Sequence, residues 1–137
     1  MTKYLLDTTV LIDFMRGQPR IVELLQKLVH ERHQLGISAV NIAELYTGLS
    51  PPERENAARL IDHLKYYELD REGAKLAGSF RYSFARQGKT LSVADTLVAA
   101  TAVINEAVLI TANVKDYPMK ELRVLQQPRE SKIERFD

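Results

Sequence analysis

The sequence predicts an α/β fold: a central parallel sheet of four to five short strands with helices on both faces, in three layers. Short apolar runs of strand length alternate with longer segments of helical period, the pattern left by β–α–β connections. The segment 93–106 is rich in Ala and Val and apolar nearly all round, as a buried helix is. A chain of 137 residues fits one compact domain and leaves little for a second.

The elements follow in order. Residues 3–6 form the first strand, and a helical stretch at 10–15 comes directly after Asp7-Thr8-Thr9. Gly17-Gln18-Pro19 interrupts it, and 19–33 reads as an amphipathic helix with Ile21, Leu24, Leu25 and Leu28 along one face. The second strand, 35–39, leads into a helix at 41–48. Ser50-Pro51-Pro52 is a stop and restart, proline being suited to a helix's first turn. Ala57, Leu60, Ile61 and Leu64 then keep helical spacing within a helix over 52–65. A third strand at 66–69 precedes a helix over 71–86, which Gly88 ends. After the buried helix come a fourth strand at 108–111 and a short fifth at 122–125. The domain spans 1–127, and 128–137 is a polar tail expected to be disordered.

Composition narrows the chemistry. Hydrophobic residues at 45% and charged ones at 27% are ordinary for a soluble globular protein. The absence of cysteine removes disulfides and zinc–thiolate sites and agrees with a reducing compartment. Asp7 and Asp13 interrupt the apolar N-terminal run, so it lacks the core of a signal peptide. No stretch approaches the ~18 apolar residues that span a bilayer. A cytoplasmic protein without membrane partners is expected. The net charge of +1 lacks the basic excess often seen in nucleic-acid binders, and it decides nothing by itself.

Ligands of open parallel sheets bind beyond the carboxyl ends of the strands. Four acids fall there. Asp7 ends the first strand, Glu44 and Asp95 sit in the first turns of helices, and Asp116 follows the fourth strand. Each has a local explanation. Asp7 can cap the helix after it. Asn41-Ile42-Ala43-Glu44 and Ser92-Val93-Ala94-Asp95 both read as capping boxes. Asp116 can close its own turn. The conjunction is harder to explain locally, because four carboxylates at one sheet edge repel one another and favour protonation. A divalent ion removes the conflict, and oxygen ligands suit Mg²⁺ or Mn²⁺. His30, His33 and His63 lie on charged helix surfaces, and no glycine-rich phosphate loop is present.

Four segments carry a family resemblance. Tyr4-Leu5-Leu6-Asp7-Thr8-Thr9-Val10-Leu11-Ile12, Ile42-Ala43-Glu44-Leu45, Ala94-Asp95-Thr96-Leu97-Val98-Ala99-Ala100-Thr101-Ala102 and Leu109-Ile110-Thr111-Ala112-Asn113-Val114-Lys115-Asp116-Tyr117 resemble, in this order, the PIN-domain family. They are most similar to its VapC-type toxins of toxin–antitoxin pairs, over about residues 3–127. The resemblance implies a PIN-like fold and a Mg²⁺- or Mn²⁺-dependent endoribonuclease that hydrolyses RNA with metal-activated water. It makes Asp7, Glu44, Asp95 and Asp116 the catalytic metal-site acids, with Asp7 and Asp95 the first choice as direct ligands. Asn113 falls where such toxins carry a polar residue near the metal. Thr9 and Thr111 match hydroxyls that orient an acid or a water, or else make helix-start and strand-end hydrogen bonds. Arg81, Arg86 and Lys89 either steer RNA or form a solvated helix face. The resemblance also implies a homodimer and a small VapB-like antitoxin partner. Leu45, Tyr46 and Leu49 either face such a partner or belong to the core.

Three alternatives differ at identifiable residues. A haloacid-dehalogenase phosphatase needs an acid where Thr9 stands, and a response-regulator receiver needs an acidic pair this chain lacks. A catalytically inactive PIN-like module that binds RNA or protein would be expected to have lost one or more of the four acids.

Overall fold

The computed structural model describes residues 1–128; the expected tail lies, from residue 129 on, outside them. Five strands form one fully parallel sheet: β1 (Lys3–Leu6), β2 (Gln34–Ser38), β3 (Lys65–Tyr67), β4 (Ala107–Thr111) and β5 (Val124–Gln126). Their order is β3-β2-β1-β4-β5, so β1 is central and pairs with β2 on one side and β4 on the other. The connections carry α1 (Thr8–Met15), α2 (Pro19–His30), α3 (Ala39–Thr47), α4 (Pro51–Asp62), α5 (Arg71–Arg86) and α6 (Val93–Ile104). A short 3₁₀ turn, Val114–Asp116, follows β4.

Two cores lie on opposite faces of the sheet because strand side chains alternate. Leu5 and Leu109 point into one core with Ala77 and Phe80 of α5 and Val98, Ala99 and Ala102 of α6. Their neighbours Leu6 and Ile110 point into the other with Val10, Leu11, Ile21 and Leu25 of α1 and α2. The expected three layers are therefore present. The stretch Thr96–Ala102 of α6 is mostly buried, although Val93 and Ile104 at its ends are exposed. Among the described residues no helix is long and apolar enough to cross a membrane.

The boundaries differ from expectation where backbone chemistry intervenes. Asp7 caps α1 by accepting from the Thr8 amide, so this helix begins at Thr8 rather than residue 10. Arg32 adopts a left-handed φ of 65°, and α2 ends at His30 rather than running to 33. Most consequential is α3. Its cap is Ser38, whose hydroxyl accepts from the Asn41 amide, so the helix starts at Ala39. Asn41 is therefore not a cap, Asn41–Glu44 is not a capping box, and Glu44 lies in the second turn.

Candidate active site

The parallel register delivers the site. Leu6 of β1 is paired with Ile110 of β4, so Asp7 and Thr111 stand side by side at the carboxyl end of the sheet's centre. Asp7 is 7% exposed, and both carboxylate oxygens are engaged. Oδ1 accepts from the Thr8 amide at 2.9 Å and from Asn41 Nδ2 at 3.2 Å. Oδ2 accepts from the Thr111 hydroxyl at 2.7 Å and from the Tyr117 hydroxyl at 3.1 Å. Four donors occupy about all the acceptor capacity a carboxylate has. A buried charge survives only with such partners.

Tyr117 extends the site to the second acid. Its buried phenol hydroxyl also lies 3.2 Å from Asp95 Oδ1. Asp95 occupies the third position of α6, where the Ser92 hydroxyl accepts from its amide at 3.0 Å. Burial pushes the Asp95 pKa up. Hydrogen bonds from Ser92 and Tyr117 oppose that shift, and the charges of Asp116 and Asp7 add to it. Burial also drives the Tyr117 phenol far above its ordinary range, reinforced by the Asp7 and Asp95 charges, so it keeps its proton.

The remaining residues attach as follows. Glu44 is exposed and accepts from the Thr8 hydroxyl at 2.9 Å. Thr8 accepts in turn from Asn41 Nδ2 at 3.2 Å. A continuous chain of hydrogen bonds thus runs Glu44–Thr8–Asn41–Asp7–Tyr117–Asp95. The hydroxyl reaching Glu44 belongs to Thr8, not to Thr9. Thr111 also accepts from the Asn113 amide at 3.0 Å, so Asn113 enters through its backbone. Asp116, half-buried at the end of the 3₁₀ turn, acts on Asp95 through its charge. Among the described residues no three His, Asp or Glu side chains are disposed to share one ion. Asp7's oxygens are filled by donors and Glu44 is turned to Thr8.

Sequence reasoning missed Asn41, Thr8 and Tyr117. Asn41 is fully buried, and its Oδ1 accepts from Ser38 at 2.5 Å while its Nδ2 serves both Asp7 and Thr8. Of the basic candidates, Arg81 donates to the Leu91 carbonyl, Arg86 stacks over Tyr82, and Lys89 donates to the Lys115 carbonyl beside Asp116. Leu45 is core, and Arg54 covers the Tyr46 ring.

A parallel sheet ordered 3-2-1-4-5, with acids gathered where β1 and β4 end, defines a known class. Residues 4–121 match the PIN-domain family, and the chain belongs to it. Within that family it is similar to ribonucleases of the VapC type. It is 34% identical over 119 residues to Ribonuclease VapC10 of Mycobacterium tuberculosis, covering 85% of this chain and 87% of that protein. It is 27% identical over 115 residues to Ribonuclease VapC19 of the same organism, covering 84% and 92%. The DNA-bound VapBC from Salmonella typhimurium superposes with a TM-score of 0.78 at 25% identity, over 93% of this chain and all of the other (100%).

Proposed function

We propose that the chain is an endoribonuclease, dependent on Mg²⁺ or Mn²⁺, that serves as the toxin of a toxin–antitoxin pair. The observation that carries the reading is the pairing of Asp7 and Asp95 about one hydroxyl at the carboxyl edge of the sheet. VapC relatives named as ribonucleases support the activity over nearly the whole chain.

The chemistry of the donor set, rather than its present placement, fits the ion. The set is made of carboxylate and hydroxyl oxygens, with no sulfur and no histidine bonded to the acids, which suits a hard divalent cation. Asp7 and Asp95 would hold it, with Glu44 and Asp116 completing its surroundings. Burial raises the Asp95 pKa, and the Asp116 and Asp7 charges that add to the shift are a conflict a cation relieves. When bound, such an ion supplies charge against the phosphate and lowers the pKa of a water. The chain's own part is orientation: Asn41 and Thr111 fix the Asp7 carboxylate, and Ser92 fixes the start of α6 beneath Asp95. Lys89 and Lys115 are exposed, and Lys89 reaches the Lys115 carbonyl, next in sequence to Asp116, so the two would suit an RNA backbone.

The partners follow from the same reading. A groove of about 750 Å³ between α2 and α4, lined by Phe14, Val29, Leu35, Leu60 and Leu64, suits the apolar face of an antitoxin helix. A homodimer and a cytoplasmic location belong to the proposal. Induced expression tests it in cells: growth should arrest with RNA cleaved, Asp95→Asn should do neither, and a wild-type chain harmless to RNA and growth would refute the toxin reading.

A further inference from the structure

We infer that Tyr117 competes with the cation for its place: its hydroxyl holds Asp7 and Asp95 together and gives up that position when metal binds. The inference rests on the metal reading proposed for this site. A single phenol hydroxyl lies 3.1 Å from Asp7 Oδ2 and 3.2 Å from Asp95 Oδ1, presenting the positive end of its dipole to two acids that otherwise repel. Asp7 already accepts four hydrogen bonds, so it can ligate an ion only by releasing one donor.

Three of those donors are poorly placed to leave. The Thr8 amide is the first of α1 and fixes the helix start. Asn41 is fully buried and held from behind by Ser38. Thr111 is fully buried in β4 and tied to the Asn113 amide. Tyr117 differs on two counts. Its contact is the one shared with Asp95, so it lies on the side of Asp7 that faces the other acid. Its ring is itself buried in the core, yet it belongs to the segment after the 3₁₀ turn rather than to a strand or an α-helix. Its O–H therefore competes directly with a cation for the same two carboxylates, and metal binding costs the protein that hydrogen bond.

The test compares wild type, Tyr117→Phe and Asp95→Asn for Mn²⁺ binding by calorimetry and for melting temperature in EDTA and in saturating Mn²⁺. Circular dichroism confirms that each variant folds. Tyr117→Phe should bind Mn²⁺ about five-fold more tightly, the equivalent of one ordinary hydrogen bond no longer surrendered. It should melt a few degrees below wild type in EDTA, and Mn²⁺ should shrink that deficit. A merely structural tyrosine would leave the Mn²⁺ affinity unchanged and the deficit equal in both conditions, which overturns the inference. Weaker Mn²⁺ binding by Tyr117→Phe overturns it as well. If Asp95→Asn weakens binding while Tyr117→Phe fails to tighten it, only the place-holder falls. If Asp95→Asn binds like wild type, or wild type binds no Mn²⁺, the metal site is misplaced and the inference falls with it.

Discussion

Thr111 donates its hydroxyl to Asp7 Oδ2 at 2.7 Å, joining the ends of two adjacent parallel strands across 104 positions of sequence. The bond ties the orientation of the buried acid to the sheet itself. Replacing Thr111 by Val keeps the shape and removes the donor. It should cost about 1–2 kcal/mol in denaturant unfolding and about 10–100-fold in RNA cleavage. Thr111→Ser should restore most of both, and a Val variant with wild-type activity would remove Thr111 from the site.

Asp7→Asn and Asp95→Asn should each lower cleavage by about 100-fold or more, since the amide lacks the charge a metal site needs. Their stabilities should differ. Asp7→Asn presents an amide to a side of the pocket filled by donors, so we expect a loss of about 1–2 kcal/mol with the fold retained. Asp95 is half-exposed and bears one long contact, from Tyr117, besides its Ser92 partner. Its Asn variant should unfold no earlier than wild type in EDTA.

The pH dependence has a definite sign. Burial raises the Asp95 pKa above its ordinary 3.8, assisted by the Asp116 and Asp7 charges and opposed by hydrogen bonds. A folded value above the unfolded one means the contribution to stability is fully present below the unfolded pKa and is lost as pH rises through the folded value. In EDTA the melting temperature of wild type should therefore fall relative to Asp95→Asn as pH rises from about 3.8 through the raised folded value. Parallel curves for the two proteins would contradict this.

Asn41→Ala should destabilise the fold by about 2 kcal/mol, because it leaves Ser38 and Asp7 each short of a buried partner. Its cleavage should drop even where the variant is fully folded. Equal activity per folded molecule would make Asn41 structural only.

Much of this was legible in the sequence, and the misses share a cause. Strand–helix alternation points to the three-layer parallel sheet, and the structure bonds Thr111 to Asp7 and sets Tyr117 between Asp7 and Asp95. Ser38 and Asn41 are both good capping residues three positions apart, and pattern alone does not choose between them. Only burial shows that Ser38 caps α3 while Asn41 turns inward to Asp7. Tyr117 follows an acid in a loop, and nothing in the sequence pattern marks it for a site. Its role depends on the fold bringing residue 117 against residues 7 and 95, which is tertiary information. Arg81 precedes Asp95 and reads as either an RNA contact or part of a solvated helix face, whereas its Nε is bonded to the Leu91 carbonyl.

The most direct measurement is cleavage of a defined RNA by the purified protein, with the fragment ends identified by mass spectrometry. Histidine, the usual general base and acid for recruiting the RNA's own 2′-hydroxyl, is not bonded to these acids. Cleavage should require Mg²⁺ or Mn²⁺, stop in EDTA, vanish in Asp95→Asn, and leave a 5′-phosphate and a 3′-hydroxyl. A 2′,3′-cyclic phosphate produced equally well in EDTA would contradict metal-dependent hydrolysis at Asp7 and Asp95.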